Sequence, residues 1–227
     1  MFYKLFQGID RNARILDIGC ASGATMRFLE TKGFKNLYGI DISEQAITYC
    51  KGLGIKNVFV MDGARLSFRD VLFDVVIASD VLEHIKDEGQ ALLEWSRVLK
   101  PGGVLIVFVP AFHYLWSMHD EINHHYRRYS KSTLIDVLRA VNFMVLRASY
   151  WNCSLFMPTL ILRLIQRFVL GRKDYKGAAE EFYRLNLFLN TMLRKLILVE
   201  NSIVRAFSFP FGVSVFVVAK KPESNKK

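Results

Sequence analysis

The chain has 227 residues, of which 52% are hydrophobic, so it is long enough for one sizeable core and is not a disordered protein. Its three cysteines, Cys20, Cys50 and Cys153, form no C-x-x-C pair, which excludes a disulfide framework and a zinc ribbon and predicts a reducing, cytoplasmic setting. The net charge of +10 is uneven, because residues 1–120 carry 13 Lys and Arg against 14 Asp and Glu, whereas residues 121–227 carry 18 against 7. This basic second half predicts an anionic partner, either a membrane surface or a nucleic acid.

The first predicted strand ends in a turn that contains two glycines. The apolar run Ile15–Ile18 is followed by Gly19, three small residues and Gly23, and a helical pattern begins there. Small residues let a ligand approach the backbone of such a turn, and the free N–H groups of the next helix point at that ligand. The turn therefore predicts a nucleotide-binding loop, with a purely structural strand-to-helix turn as the alternative.

The next two predicted strands each end close to an aspartate. Residues 36–41 predict the second strand, and its last residue, Asp41, lies 22 positions after Gly19. A carboxylate at this position can accept hydrogen bonds from both hydroxyls of a ribose, as in NAD or S-adenosylmethionine. The third predicted strand, Asn57–Gly63, contains Asp62, for which an Asx-type turn is the alternative role.

Two more predicted strands complete the first half of the chain. The apolar residues 73–79 predict a fourth strand that is buried on both faces and is followed by Asp80. The periodic residues 91–99 predict a helix that stops at Lys100–Gly103, and residues 104–110 predict a fifth strand. Since Asp80 and the polar residues described above all fall at carboxyl ends of strands, where parallel sheets bind ligands, we expect one shared site.

This alternation of strands and helices predicts an α/β fold with a parallel sheet, right-handed crossovers and helices on both faces. Later in the chain, residues 143–150 predict a sixth strand and residues 212–220 a seventh. We predict one domain over residues 1–227, with its core in residues 10–154 and 210–221 and an apolar helical insertion in residues 155–209.

Two motifs resemble those of the class I S-adenosylmethionine-dependent methyltransferases. Within that superfamily they are most similar to the small-molecule enzymes of methyltransferase type 11/12. They are D-x-G-x-x-x-G, which runs from Asp17 to Gly23, and Leu-Lys-Pro-Gly-Gly, which ends at Gly103. The resemblance implies a Rossmann-like sheet of seven strands, in which the seventh is antiparallel and lies between the fifth and the sixth. It also implies S-adenosylmethionine as the cofactor, with these residues at its site: Asp17, Gly19, Cys20, Gly23, Asp41, Ile42, Asp62, Gly63 and Asp80.

Four of the five histidines lie between His113 and His125, in a window that resembles the pattern W-S-x-x-D followed by H-x-R-R-Y in some small-molecule methyltransferases. A neutral imidazole or a carboxylate could remove a proton from a substrate hydroxyl, and arginines could hold a substrate carboxylate or phosphate. The candidate catalytic residues are His119, Asp120 and His125. The candidate substrate-binding residues are Trp116, Arg127, Arg128 and Tyr129.

Two alternatives apply to this window. In the first, the loop is structural and Arg128 pairs with Asp120 or Glu121. In the second, the histidines bind a metal, but no known ligand spacing matches, and we predict no metal site. We expect His84, which lies further upstream, to pack at the start of the helix that follows it.

Residues 155–209 contain two predicted amphipathic helices, Leu155–Leu170 and Phe182–Phe209, whose polar stripes are narrow. Neither has the ~20 uncharged residues of a membrane-spanning helix. Basic residues beside Phe, Leu and Ile suit an anionic membrane interface, and a lid or a homodimer surface is the alternative. In either arrangement apolar surface lies near the mouth of the site, which favours a lipid-linked substrate.

The sequence therefore predicts methyl transfer to a hydroxyl, or to an amine, of a small or lipid-linked substrate, either in the cytoplasm or on the inner face of the membrane. An RNA methyltransferase is one alternative, although Ser79-Asp80-Val81-Leu82 replaces the Asn/Asp-Pro-Pro-Tyr-like element of enzymes that methylate base nitrogens. A non-catalytic membrane-surface module is another. The incomplete glycine fingerprint disfavours an NAD-linked reductase.

Overall fold

A seven-stranded mixed sheet forms the centre of the computed structural model, which describes residues 5–6, 8–168, 187–203 and 207–223. Its strand order is β3-β2-β1-β4-β5-β7-β6, and β7 runs antiparallel to both of its neighbours. The strands are Arg14–Ile18 (β1), Asn36–Asp41 (β2), Val58–Val60 (β3), Phe73–Ser79 (β4), Leu99–Pro110 (β5), Met144–Trp151 (β6) and Ser214–Lys220 (β7). This order confirms the predicted sheet and the antiparallel seventh strand between the fifth and the sixth.

The helices of the described residues follow the capping signals of the sequence. Ser43 accepts a hydrogen bond from the N–H of Ala46 at 3.2 Å, and Asp87 accepts one from the N–H of Gln90 at 3.0 Å, which fixes the starts of the second and third helices. The helices are Ala24–Thr31 (α1), Glu44–Gly52 (α2), Glu88–Val98 (α3), Met118–Ile122 (α4), Lys131–Ala140 (α5), Phe156–Phe168 (α6) and Leu187–Ile203 (α7).

Alternating side chains of the central strands bury two separate apolar clusters, one on each face of the sheet. Leu16 of β1 lies in the cluster that contains Trp95 of α3, whereas its neighbour Ile15 lies in the cluster that contains Leu29 of α1. Helices therefore cover both faces, as predicted. The carboxyl ends of β1 and β4 are consequently held in a close-packed interior, which gives the site a rigid base.

Two predicted boundaries near the sheet are wrong. The turn Lys100–Gly103 belongs to β5, because the backbone N–H of Gly102 donates to Lys221 and the N–H of Lys221 donates to Gly103, so these residues pair with the chain that follows β7. The third strand ends at Val60, before Met61, because Asp62 begins a tight turn there.

The insertion contains α6 and α7, but the second predicted helix does not extend to Phe209. That residue forms an antiparallel bridge with Tyr150, and its N–H donates to Ser149 Oγ at 2.9 Å. The parts of the predicted helices in residues 169–186 and 204–206 lie outside the described residues. No helix within the described ranges is both long enough and apolar enough to cross a bilayer.

A buried carboxylate fixes α7 to the start of α6. Glu200 is 6% exposed and accepts hydrogen bonds from the N–H groups of Cys153 and Ser154, at 2.7 and 2.9 Å, and from the Ser154 hydroxyl at 2.5 Å. Hydrogen bonds to an ionised group are strong. They hold the insertion against the sheet edge formed by β6.

Candidate active site

A cavity of about 520 Å³ lies at the carboxyl ends of β1 to β4, where a parallel sheet binds ligands. Its wall includes six of the residues predicted for the cofactor: Gly19, Asp41, Ile42, Asp62, Gly63 and Asp80. Residues not predicted for this site complete the wall: Ile18, Ala21, Met61, Ser79, Val81, His84 and Ile85. Most of these additions are direct neighbours of predicted residues in the chain.

Asp41 connects two parts of the cavity wall. Its Oδ2 accepts a hydrogen bond from the N–H of Ala21 in the glycine turn, and its Oδ1 accepts one from the N–H of Ser43, each at 2.9 Å. The carboxylate thereby holds the turn after β1 against the end of β2. Each of its oxygens has a second lone pair that a ribose hydroxyl can use.

Gly19 is required by both backbone conformation and space. Its φ of +69° lies in the left-handed region, and a Cβ on this residue would overlap with Cγ2 of Val81. Gly23 also has a positive φ, of +71°, and a Cβ there would overlap with Ile55 Cδ1. Gly19 opens the cavity wall, while Gly23, which does not line the cavity, lets the turn pack against Ile55 just beyond α2.

Cys20 and Asp17 also lie behind the cavity wall. The Cys20 side chain is 5% exposed and packs in a small core cluster with Met26 and Ile47, so any contact of this residue with the cofactor would involve its backbone. Asp17 is 3% exposed, and its Oδ2 has no hydrogen-bond partner within the described part of the chain. Burial, together with the charge of nearby Asp41, raises the pKa of Asp17 to about 7.

Replacing Asp17 with asparagine should stabilise the fold at high pH. A carboxyl whose pKa is raised on folding holds its proton in the folded state after the unfolded chain has lost it, so stability falls between pH 4 and 7. Denaturant unfolding should show a free energy of unfolding on the order of 2 kcal/mol higher for Asp17→Asn than for wild type at pH 8, with little difference at pH 4. The exposed Asp136→Asn serves as the control, and an equal pH dependence in wild type and Asp17→Asn would contradict the assignment.

Asp62 and Ile42 form the outer part of the cavity. Asp62 Oδ1 accepts a hydrogen bond from the N–H of Ala64 at 2.8 Å, which is the Asx-type turn considered above, and the residue nevertheless lines the cavity. Ile42 is 76% exposed although its side chain is apolar. An apolar ring placed in the cavity would cover it.

A second group of polar residues lies at the cavity edge, where the short 3-10 helix Leu82–His84 follows β4. The prediction that His84 packs at the start of the next helix is wrong, since α3 begins at Glu88 and His84 lines the cavity. The His84 ring meets the ring of His125 edge to face, with 4.5 Å between their centroids. Burial and the neighbouring His125 lower the pKa of His84, which favours its neutral form.

His125 is oriented by a buried carboxylate. Its Nδ1 lies 2.8 Å from Oδ1 of Asp120, a residue with no exposed surface. Arg128 binds the same carboxylate through both Nε and Nη2, at 2.7 and 3.0 Å, as one of the alternatives above anticipates. Although burial opposes ionisation, the Arg128 guanidinium and His125 hold the pKa of Asp120 below its usual range. Asp120 is therefore an ionised acceptor, which leaves Nε2 of His125 without the proton in the neutral ring.

Glu83 is fully buried behind the two histidines, and neither of its carboxyl oxygens has a hydrogen-bond partner in the described ranges. Burial, with a smaller effect from the charge of Asp80, raises the pKa of Glu83 to about 8. Atoms of Glu83, His84 and His125 that could ligate a metal all lie within 4.8 Å of one another. The sequence spacing alone did not indicate this cluster, because two of its members follow β4 and the third follows α4.

The other residues predicted to contact substrate have partners within the chain. Arg127 pairs with Glu88 at 3.2 Å and donates to the Lys86 carbonyl at 2.6 Å, and the hydroxyl of the buried Tyr129 also donates to Glu88. These contacts attach the loop to the start of α3. His119 is exposed and shares a hydrogen bond with Asn123, and the ring of Trp116 packs against that of His113. A role of Trp116, Arg127, Arg128 or Tyr129 in substrate binding therefore stays a prediction.

Comparison with known proteins gives a family match in the region that forms this cavity. Residues 16–107 match the family model described as "Methyltransferase domain". A 2-methyl-6-phytyl-1,4-hydroquinone methyltransferase of Synechocystis sp. is 38% identical over 97 residues, which cover 41% of this chain and 30% of that protein. A ubiquinone biosynthesis O-methyltransferase of Rickettsia conorii is 33% identical over 110 residues, which cover 47% of this chain and 37% of that protein. The chain therefore spans about a third of the length of these relatives.

Solved structures agree with the fold along nearly the whole chain. Phosphoethanolamine N-methyltransferase 2 of Haemonchus contortus superposes with a TM-score of 0.66 at 18% identity, covering 97% of this chain and 52% of that protein. An S-adenosylmethionine-dependent methyltransferase of Archaeoglobus fulgidus gives a TM-score of 0.62 at 21% identity, covering 97% and 90%. At these identities the likeness concerns the fold alone.

Proposed function

We propose that this chain, which matches a methyltransferase-domain family over residues 16–107, is a class I S-adenosylmethionine-dependent methyltransferase and that it methylates a hydroxyl oxygen of a small or lipid-linked acceptor. The observation that carries the proposal is the imidazole of His125, which is held by Asp120 and contacts the ring of His84 in the cavity wall. The name of the ubiquinone biosynthesis O-methyltransferase supports an oxygen acceptor, and the name of the phytyl-hydroquinone methyltransferase supports an apolar one.

The residues of the cavity wall, together with Asp17 behind it, fit the cofactor. The unpartnered Oδ2 of Asp17 would accept hydrogen bonds from an ammonium group, which would also favour ionisation of this carboxyl. Asp41 would hold the ribose, Asp62 would accept from the adenine amino group, and Ile42 would pack against the adenine ring. S-adenosylmethionine supplies a methyl group on a sulfonium, so the chain itself needs mainly to position the acceptor and to remove one proton.

In this proposal, His125 removes that proton. A neutral imidazole is a competent base near pH 7, and the hydrogen bond between its Nδ1 and Asp120 fixes the orientation of the ring. Arg128 neutralises Asp120 and fixes its carboxylate plane. We assign Asp120 and Arg128 a positioning role, since both are buried away from the cavity.

Apolar residues of the insertion support a lipid-linked acceptor and a position at an anionic membrane surface. Exposed residues on α6 include Met157, Ile161 and Leu164, and α7 likewise exposes apolar side chains, including Met192 and Leu196. Exposed apolar patches of this kind suit membrane or protein contact. Sedimentation with vesicles should show binding that increases with the fraction of anionic lipid. A dimer that does not bind vesicles would favour the homodimer surface instead.

Calorimetric titration with S-adenosylhomocysteine, with NAD as the parallel control, is the first test. We expect S-adenosylhomocysteine to bind and NAD not to bind. The second test follows transfer of a labelled methyl group to an alkyl-substituted hydroquinone. Transfer to RNA, with affinity that falls steeply as salt rises, would favour the RNA methyltransferase. Binding to vesicles without any methyl transfer would favour the non-catalytic module.

A further inference from the structure

A second, open groove lies next to the cofactor cavity, between the start of α1 and the ends of β4, β5 and β6. Its volume is about 330 Å³. Ser79 lines both the groove and the cavity, and its hydroxyl donates to Asp80 Oδ2 at 3.2 Å. The groove is lined by Ala24, Thr25, Phe28, Ser79, Phe108 and Trp151.

The chemistry of the groove is that of an apolar binding site. None of the described residues that line it carries a charge, and three of them are aromatic. Phe108 is 2% exposed, whereas Phe28 is 39% exposed. The Trp151 indole N–H donates to Asn201 Oδ1 at 2.8 Å, and its ring lies 5.4 Å from that of Phe108 between centroids. The rings therefore have fixed positions, and burying a charged group among them would cost free energy that burying an alkyl chain would not.

From this arrangement we infer that the groove binds the apolar chain of the methyl acceptor, an alkyl or isoprenoid chain. The inference rests on the proposed function and names the part of the acceptor that this surface recognises. The shared residue Ser79 supports this inference: an acceptor whose chain lies along Phe28, Phe108 and Trp151 reaches Ser79, which also lines the cofactor cavity. The polar end of the acceptor then lies at the carboxyl end of β4, next to Asp80.

The test measures the fluorescence of Trp151, which lines the groove. Dodecyl maltoside brominated on its chain quenches tryptophan fluorescence on contact, and it is titrated below its critical micelle concentration into the full chain saturated with S-adenosylhomocysteine. We expect saturable quenching that is absent when unbrominated dodecyl maltoside is used. Trp151→Phe should remove the quenched component, because Trp95 is fully buried and Trp116 lies outside the groove.

Two substitutions test the site itself. Ala24→Phe places a large side chain in the groove at an exposed position, and Phe28→Ser removes an exposed aromatic wall. Phe28→Ser should weaken the apparent affinity for the brominated probe by about tenfold, because it removes one apolar side-chain contact. Ala24→Phe should weaken it by at least about as much, because the new ring occupies the space of the probe chain. Tyr49→Ser, which removes an aromatic of 57% exposure on α2, is the matched control and should leave the affinity unchanged.

The outcomes separate this inference from the proposed function. Binding of S-adenosylhomocysteine without quenching at Trp151, or quenching that Ala24→Phe and Phe28→Ser do not weaken, would overturn the groove assignment alone. If Ala24→Phe and Phe28→Ser weaken S-adenosylhomocysteine binding to the same extent as probe binding, the groove belongs to the cofactor and the inference is also overturned. If the chain binds no S-adenosylhomocysteine, the proposed function fails, whatever the probe does.

Discussion

Replacing His125 by glutamine should lower the rate of methyl transfer by about 100- to 10,000-fold, the usual contribution of a positioned general base. Glutamine keeps a hydrogen-bonding side chain of similar size, so the buried Asp120 retains Arg128 and gains an amide donor in place of the ring. Affinity for S-adenosylhomocysteine should stay within about twofold, because His125 does not line the cofactor cavity. Single-turnover kinetics with saturating cofactor measures the effect.

His113→Gln is the matched control, because this exposed histidine lies in the same window but packs against Trp116, away from the cavity. His119→Gln tests the other predicted base. If His119→Gln lowered the rate as much as His125→Gln, that result would contradict the assignment of His125 as the single base. A normal rate in His125→Gln would show that proton removal does not depend on this residue.

Alanine at Asp41 should weaken S-adenosylhomocysteine binding by about 100-fold or more. Hydrogen bonds to an ionised group contribute about 1.5–3 kcal/mol each, and 1.4 kcal/mol is a tenfold change in affinity. The substitution removes the ribose acceptors and also the two backbone contacts that hold Ala21 and Ser43 in place. Isothermal titration of the variant gives the dissociation constant directly.

Glu44→Ala is the control for lost charge, since this exposed acid lies in the first turn of α2 and does not line the cavity. Asp41→Asn keeps one acceptor oxygen and should bind with intermediate affinity. Thermal unfolding of each variant separates loss of binding from loss of fold. Affinity of Asp41→Ala within threefold of wild type, in a folded chain, would remove the ribose assignment.

The sheet and six of the residues that line the cofactor cavity could be predicted because their signals are local. The run Ile15–Ile18 and its glycine turn specify a strand and its end within a few residues, and Asp41 marks the end of the next strand in the same way. Parallel pairing then brings these ends to one edge. The family resemblance added the antiparallel position of β7, which no periodicity specifies.

The histidine pair could not be predicted, because His84 and His125 are distant in the chain and meet only through tertiary packing. The backbone N–H of Tyr126 donates to the Glu83 carbonyl at 2.8 Å, which joins the two segments. A hydrogen bond between segments leaves no periodic pattern in the sequence. The same reason applies to Glu83, whose burial depends on what covers the end of β4 and not on its neighbours in the chain.

The adjacent residues Glu200 and Asn201 connect α7 to the proposed acceptor groove by hydrogen bonds. Glu200 accepts a hydrogen bond from the backbone N–H of Cys153, just before α6. Asn201 accepts one from the indole N–H of Trp151, which lines the groove. A displacement of α7 along the sheet edge must therefore either break these hydrogen bonds or carry the indole with it. We therefore expect contact of the exposed apolar side chains of α7 with another surface to change the width of the groove, and with it the fit of the acceptor.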